Sequence, residues 1–271
     1  YTRACNFYYG AQAQKLIKKK LALALCGNKN LAFDCIEILS RYKKDRLVHI
    51  KKISTLKKKL KQIVQNDIKK IITKRQNLSI NLNFSEPLIM GVLNLTPDSF
   101  SDGGLFNQFK KSTTHIQNMI DKGANIIDIG GESTRPGSKS VPFRIEWKRV
   151  EKIITNFKKK YPKIFLSIDT RKSEIMVKAI KNKSDLINDV SGFEFDTSAI
   201  DKIKNFDVWK VLHHMQGTPN TMQVNPKYKN VLFDLYDFFE KKINIDFKKF
   251  KYKKFIIDPG IGFGKNLKHN L

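Results

Sequence analysis

The chain has 271 residues, is 41% hydrophobic and carries a net charge of +27. That is enough apolar sequence for a real core, in one large domain or two ordinary ones. No run of 18 or more apolar residues occurs and the start, from Tyr1, has neither an initiator Met nor a signal-peptide pattern; the expectation is a soluble cytoplasmic protein, without a membrane partner and represented here by a fragment.

Only 8 of the 52 basic residues are Arg, the residue whose planar fork suits bases and phosphates. The lysines are scattered over segments that read as exposed helix faces, as at Lys158–Lys160 and Lys248–Lys254. The excess charge is therefore read as a bias toward Lys, Asn and Ile, with no specific nucleic-acid partner. The three cysteines, Cys5, Cys26 and Cys35, are odd in number, lack metal-ligand spacing and are read as reduced thiols.

Residues 1–85 hold 20 Lys/Arg and 4 Asp/Glu, a net of +16, which leaves +11 for residues 86–271. That shift marks a domain boundary. Within the basic part, Ala11–Lys20 and Leu56–Lys74 have helical spacing, while Leu21–Leu25 and Leu47–Ile50 read as strands. The region is a small α+β extension of unassigned role, and no chemistry is expected in it.

From Leu88 the rhythm changes. Short apolar runs, each ending in polar residues and followed by a helical stretch, occur at Leu88–Leu93, Asn125–Ile129, Ile164–Ile168, Leu186–Ile187, Val208–Leu212 and Phe255–Ile257. Strands alternating with helices imply βαβ units and a parallel sheet, because a parallel crossover needs a covering helix. Six units fit before Leu271, which leaves either an open doubly wound sheet or a (β/α) barrel cut before its last two units.

Each run ends in groups able to do chemistry: Asn94; Asp128 followed by Gly130-Gly131-Glu132-Ser133-Thr134-Arg135; Asp169-Thr170; Asn188-Asp189; His213-His214; and Asp258-Pro259-Gly260. One acidic strand end is commonplace, as a cap or turn former. Six together are not, and in a barrel all of them open on one face. Asp169, Asn188 and Asp258 supply acceptors and one amide donor, suited to a planar heterocycle edge that presents N–H donors beside a carbonyl. The stretch after Asp258 adds Phe263 as a stacking face, with Lys265 beside it. Ser133-Thr134-Arg135-Pro136-Gly137 follows a Gly-Gly turn and offers amides, hydroxyls and a guanidinium to a phosphate. Asn94, with Asp98 and Asp102 nearby, suits a Mg²⁺ that neutralises a diphosphate; only Asn94 is placed on the metal, and Asp98 fits an Asx turn as well as a functional role.

The segments MGVLNLTPDSFSDGG from Met90, GANIIDIGGESTRPGS from Gly123, SIDTRK from Ser167, INDVSG from Ile187, HHMQGTPNTMQ from His213 and DPGIGFGKNLKHN from Asp258 together resemble the bacterial dihydropteroate synthase family. The resemblance implies an α/β fold, a TIM (β/α)8-type barrel of which about six β/α units are present, preceded by the small basic α+β region. It implies condensation of 6-hydroxymethyl-7,8-dihydropterin diphosphate with p-aminobenzoate to give dihydropteroate and diphosphate, with Mg²⁺ as cofactor and a homodimer for the complete protein. Residue by residue, it implies that Asp169, Asn188 and Asp258 hold the pterin edge, with Gly262, Phe263 and His213 around the ring. Thr134 would lie between pterin and diphosphate, and Asn94 and Arg135 at the diphosphate. Phe100, Asp102, Arg135 and Pro136 would sit on loops that form the p-aminobenzoate pocket. Asp169, Asp258, Arg135 and Asp102 would carry the catalysis.

Two departures stand out. His213 occupies the place where the family usually has Met, and the family's Ser-Arg-Lys and Arg-x-His segments of the seventh and eighth strands do not occur before Leu271; the fragment alone is expected to be inactive. The alternatives are a pterin-dependent methyltransferase domain, which should lack the SFSDGG and STRPG loops, and a non-catalytic, polyanion-binding barrel.

Overall fold

The computed structural model describes residues 1–80, 82–84, 86–96, 105–135 and 137–271, with residues 105–108 described by backbone only. Two compact units divide between Pro87 and Leu88.

In the first unit, strand β1 (Thr2–Tyr9), helix α1 (Gly10–Lys18), strands β2 (Leu23–Leu25), β3 (Asn28–Ile38) and β4 (Arg46–His49), and helix α2 (Lys58–Ile72) follow in order. The long β3 is the centre of an antiparallel sheet, with β1 along one side and β2 then β4 along the other. Val64 and Ile68 of α2, one turn apart, close a core over Phe33, Ile36 and Val48. Both helices and the two short strands follow the sequence pattern to within a few residues. The two longest strands, β1 and β3, do not show in it, because both are interrupted by polar residues, Asn6 in one and Asp34 in the other, at positions that break strict alternation.

The second unit repeats strand and helix: β5 (Met90–Asn94), α3 (Leu105–Asp121), β6 (Ile126–Gly130), α4 (Phe143–Lys160), β7 (Phe165–Asp169), α5 (Ser173–Lys181), β8 (Leu186–Asp189), α6 (Ala199–Ile203), β9 (Trp209–His213), α7 (Val231–Ile245), β10 (Phe255–Asp258) and α8 (Leu267–Asn270). The sheet order is β5-β6-β7-β8-β9-β10, every pair parallel. This decides between the two architectures left open above. A doubly wound sheet reverses its strand order at a switch point, whereas an unbroken run of sequential neighbours is the wall of a (β/α) barrel, here of six units.

The register separates the two faces of that wall. Leu93, Ile127, Ile129, Leu166, Ile168, Ile187 and Leu212 all join one buried core with Val150, Ile153, Ile154 and Phe157 of α4 and Ile175, Met176 and Ala179 of α5. The α4 residues fall at helical spacing, one face of the helix covering the sheet. The alternate strand positions face the other way and are polar toward their carboxyl ends: Asn94, Asp128, Gly130, Ser167, Asp169, Asn188, His213 and Asp258. At the edges, Ile257 of β10, on the helix-facing side, is 51% exposed, and Val92 of β5, on the face that carries Asn94 and Asp128, is 52% exposed.

Candidate active site at the carboxyl ends of the strands

Pairing places Asn94 beside Gly130, Gly130 beside Asp169 and Asp169 beside Asn188, one continuous row across four strands. His213 and Asp258 pair with each other, and Asn188 pairs with Val211 two residues below His213. The same face thus carries all five polar residues, with the β9–β10 pair standing one side-chain layer higher.

Beneath the row lies a hydrogen-bonded floor. Asp128 is 3% exposed and accepts from Ser167 Oγ at 2.5 Å and Asn188 Nδ2 at 3.0 Å. Burial pushes its carboxyl up, against the pull of Ser167 and Asn188. Asp169 is raised well above the usual carboxylate range, chiefly by burial and then by the nearby Asp128, Glu146, Asp189 and Glu132. Asp128 and Asp169, which lack the ion pairs that Glu132 and Glu146 make, favour a ligand that brings N–H donors or positive charge. The sequence marks Asp128 as a polar strand-end group, the one charged residue within the apolar run Ile126–Ile129, but assigns it no role.

A Cβ added at Gly130 would lie 3.2 Å from Asp169 Oδ2 and 3.4 Å from Asn94 Oδ1. Those two oxygens therefore converge over the glycine, and the absence of a side chain there keeps the space between them open. Asn94 Oδ1 is a hard oxygen donor of the kind Mg²⁺ takes while keeping most of its waters, so the residue fits a magnesium ion. Asp98, Phe100, Asp102 and Pro136 lie outside the described residues.

The loop after β6 is held by a buried ion cluster as well as by its own turn, in which Ser138 Oγ donates to Ser133 O at 2.6 Å. Glu132 accepts from Arg171 Nε at 3.0 Å, from Lys172 Nζ at 2.6 Å, from Ser140 Oγ at 2.9 Å and from the Val141 amide at 2.8 Å. Lys172 also donates to Glu146, which takes the Thr170 hydroxyl at 2.6 Å. Burial alone would raise the Glu132 carboxyl, but the bonds from Lys172, Arg171 and Val141 outweigh it and hold the group at about 2. The loop thus leaves and rejoins a fixed base, and Thr134 and Arg135 stand on its outer part, half-buried and exposed respectively. The amide of Gly137 donates to Pro219 O at 3.1 Å, tying this loop to the one after β9. Sequence reasoning missed this cluster, since its four charged residues come from three separate segments.

At the other end of the row, His213 is 3% exposed, and its Nδ1–H donates to Val190 O at 2.8 Å. Burial lowers its basicity against the pull of Asp258, and the ring packs edge-on against Phe263 with 4.7 Å between ring centres. Asp258 Oδ1 accepts from the Gly260 amide at 2.8 Å. Gly260 has φ +68, and a Cβ there would meet His214 O at 2.0 Å, so only glycine allows this turn. Lys265 is 3% exposed, with Nζ donating to His214 Nδ1, Gly260 O and Phe263 O, each at 3.0 Å. It locks the loop that carries Gly262 and Phe263, and burial lowers it to about 8.

Residues 90–271 match the family model described as pterin binding enzyme. The chain is 39% identical over 191 residues to the dihydropteroate synthase of Escherichia coli K12, covering 70% of this chain and 67% of that protein. A crystal structure of the Yersinia pestis dihydropteroate synthase with a sulfonamide drug complex superposes with a TM-score of 0.63 at 37% identity, covering 72% of this chain and 71% of that one. The Xanthomonas albilineans dihydropteroate synthase with 4-aminobenzoic acid gives a TM-score of 0.62 at 35% identity, covering 70% and 67%. With the match running through every strand end described above, the chain belongs to the dihydropteroate synthase family of pterin-binding transferases.

Proposed function

We propose that the unit of residues 88–271 binds 6-hydroxymethyl-7,8-dihydropterin diphosphate and p-aminobenzoate, and that its site serves their condensation to dihydropteroate in folate synthesis. The observation that carries this reading is the floor of Asp128, Ser167 and Asn188 beneath Asp169, all on one face of adjacent strands. A pterin edge presents ring N–H and amino donors beside a carbonyl. Carboxylates and one amide match that pattern, and a ligand lacking it would leave buried polar groups unpaired.

In this reading Asp169, Asn188 and Asp258 hold the pterin edge, and Phe263, steadied by His213, covers the ring with Gly262. Thr134 and Arg135, on the anchored loop, reach the diphosphate, and Asn94 holds Mg²⁺, which when bound supplies positive charge to the departing diphosphate. Arg135, Pro136, Phe100 and Asp102 belong to the p-aminobenzoate side; the same small molecule is present in the Xanthomonas enzyme. The bond from the pterin methylene carbon to the diphosphate oxygen breaks with its electron pair leaving on oxygen. The amine lone pair of p-aminobenzoate then forms the new C–N bond, and that nitrogen loses a proton. The carboxyl groups of Asp169 and Asp258, beside the ring, stabilise the pterin cation formed between the two events.

The test is titration calorimetry of the 271-residue chain with 6-hydroxymethylpterin. Asp169→Asn and Asp128→Asn should each weaken binding by about 1–3 kcal/mol, the cost of unpairing a buried polar group. Unchanged affinity in both variants would overturn the pocket assignment.

A further inference from the structure

The first unit holds a second constellation of chemically active groups, remote in sequence from the strand ends just described. Among the described residues, Asp34, Cys35 and His49 form the one group of three metal-ligating side chains whose donor atoms all lie within 4.8 Å of one another. Cys35 Sγ is 3.1 Å from His49 Nδ1 and 3.8 Å from Nε2. Two ligands on a tetrahedral zinc ion, at about 2.3 Å for sulfur and 2.0 Å for nitrogen, stand about 3.6 Å apart, between the two values.

The arrangement has a specific origin in the strand. Adjacent residues of a regular β-strand point to opposite faces, so Asp34 and Cys35 ought not to meet. Phe33 and Ile36, however, both pack into the core under α2, although residues three apart should face opposite ways. The alternation therefore slips once between them. On the partner strand Asn6, which lies unpaired in the ladder between Cys5–Cys35 and Phe7–Phe33, has φ +58, a backbone irregularity that matches the slip. Asp34 and Cys35 are thereby turned to the same side, away from that core, and His49 joins them because it pairs directly with Cys35 while its neighbour Val48 enters the core.

Further partners orient the set. The Asp34 carboxylate accepts from Asn6 Nδ2 at 2.7 Å and from Tyr8 Oη at 3.1 Å, the kind of outer support that fixes a ligating carboxylate. His49 is exposed while Cys35 is 7% exposed, so the group is buried on one side and open to solvent on the other. A three-ligand site of this kind leaves a fourth position for water.

We propose that Asp34, Cys35 and His49 form a binding site for a single zinc ion, or a divalent ion of similar softness, in the first unit. The site ties β3 to β4. Cys5, opposite Cys35 on β1 and with its thiol directed to Arg3 O at 4.0 Å, stands outside the ligand set.

The experiment uses the reduced 271-residue chain, loaded with zinc chloride, dialysed and analysed for bound metal, then reloaded with cobalt(II) to record the thiolate-to-cobalt charge-transfer absorption. One equivalent of zinc is expected, with a raised Tm in its presence. His49→Ala, a change at an exposed position, should abolish retention, and Cys35→Ser should abolish both retention and the charge-transfer band. Tyr8→Phe should weaken binding about 10-fold or more, and Cys5→Ser should leave it unchanged. Zinc lost on dialysis of the wild-type chain, or retained at full stoichiometry by His49→Ala, would overturn the proposal. A band that survives Cys35→Ser but vanishes in Cys5→Ser would do so equally.

Discussion

Asp169 shows how a single residue is set by what surrounds it. Burial, followed by Asp128, Glu146, Asp189 and Glu132, favours its protonated form in the free protein, whereas a ligand presenting N–H donors selects the carboxylate. Binding should therefore release a proton, and pterin affinity should fall as pH is lowered. Calorimetry in two buffers of different ionisation heat measures this directly, and identical heats would rule it out. Glu132 is the opposite case, ionised and fully engaged. Replacing it by Gln leaves Arg171 and Lys172 buried with half their compensation gone, so Glu132→Gln should cost about 3–5 kcal/mol in denaturant unfolding. The sequence exposes Asp169 as a strand-end carboxylate, but it does not reveal that Glu132 is structural, because its cationic partners Arg171 and Lys172 lie 39 and 40 positions away in the chain.

Among the elements, β6 ends on two adjacent glycines with different jobs, Gly130 its last residue and Gly131 the first beyond it. Gly130 keeps open the space between Asn94 and Asp169, while Gly131 lets α4 approach: a Cβ there would lie 2.9 Å from Glu146 O and from Val150 Cγ1. Alanine at the two positions should therefore have different consequences. Gly130→Ala presses on the ends of two side chains and should reduce pterin affinity with little change in Tm. Gly131→Ala meets helix backbone, which cannot swing aside, and should lower Tm by several degrees, read by calorimetric or circular-dichroism melting. The strands themselves were legible because parallel, two-side-covered segments are continuous apolar runs. The two long strands of the first unit were not, since the single slip at Asp34–Cys35 that brings metal-ligating groups together also removes the alternation by which a half-buried strand is recognised.

For the molecule as a whole, the excess of lysine is not confined to its surface. Lys210 is 0% exposed, on the helix-facing side of β9, with Nζ donating to Tyr252 O at 3.2 Å and lying 4.7 Å from the centre of the Phe250 ring. Burial lowers it to about 8. The folded state thus releases this proton near pH 8 while the unfolded chain keeps it to pH 10.5. Over that window the unfolded state binds more protons, so this group's contribution makes the protein more stable as pH rises; below pH 8 its cost is present in full. Lys210→Met should raise Tm at pH 7, by the equivalent of roughly 1–3 kcal/mol, and leave Tm near pH 10.5 almost unchanged; equal shifts at both pH values would refute the account.

By itself the sequence determined the β/α alternation, the polar strand ends, the likeness to dihydropteroate synthases and the change of character near residue 86, all of which are local or are carried by long contiguous motifs. Tertiary structure decided the rest. The sheet order, which separates a barrel wall from a doubly wound sheet, depends on which strands pair. The floor formed by Asp128, Ser167 and Asn188, the clamp of Glu132 with Arg171 and Lys172, and the meeting of Cys35 with His49 depend on registers between strands or loops far apart in the chain. Hydrogen bonds and ion pairs act over a few ångströms, and only the folded chain brings those residues within that range.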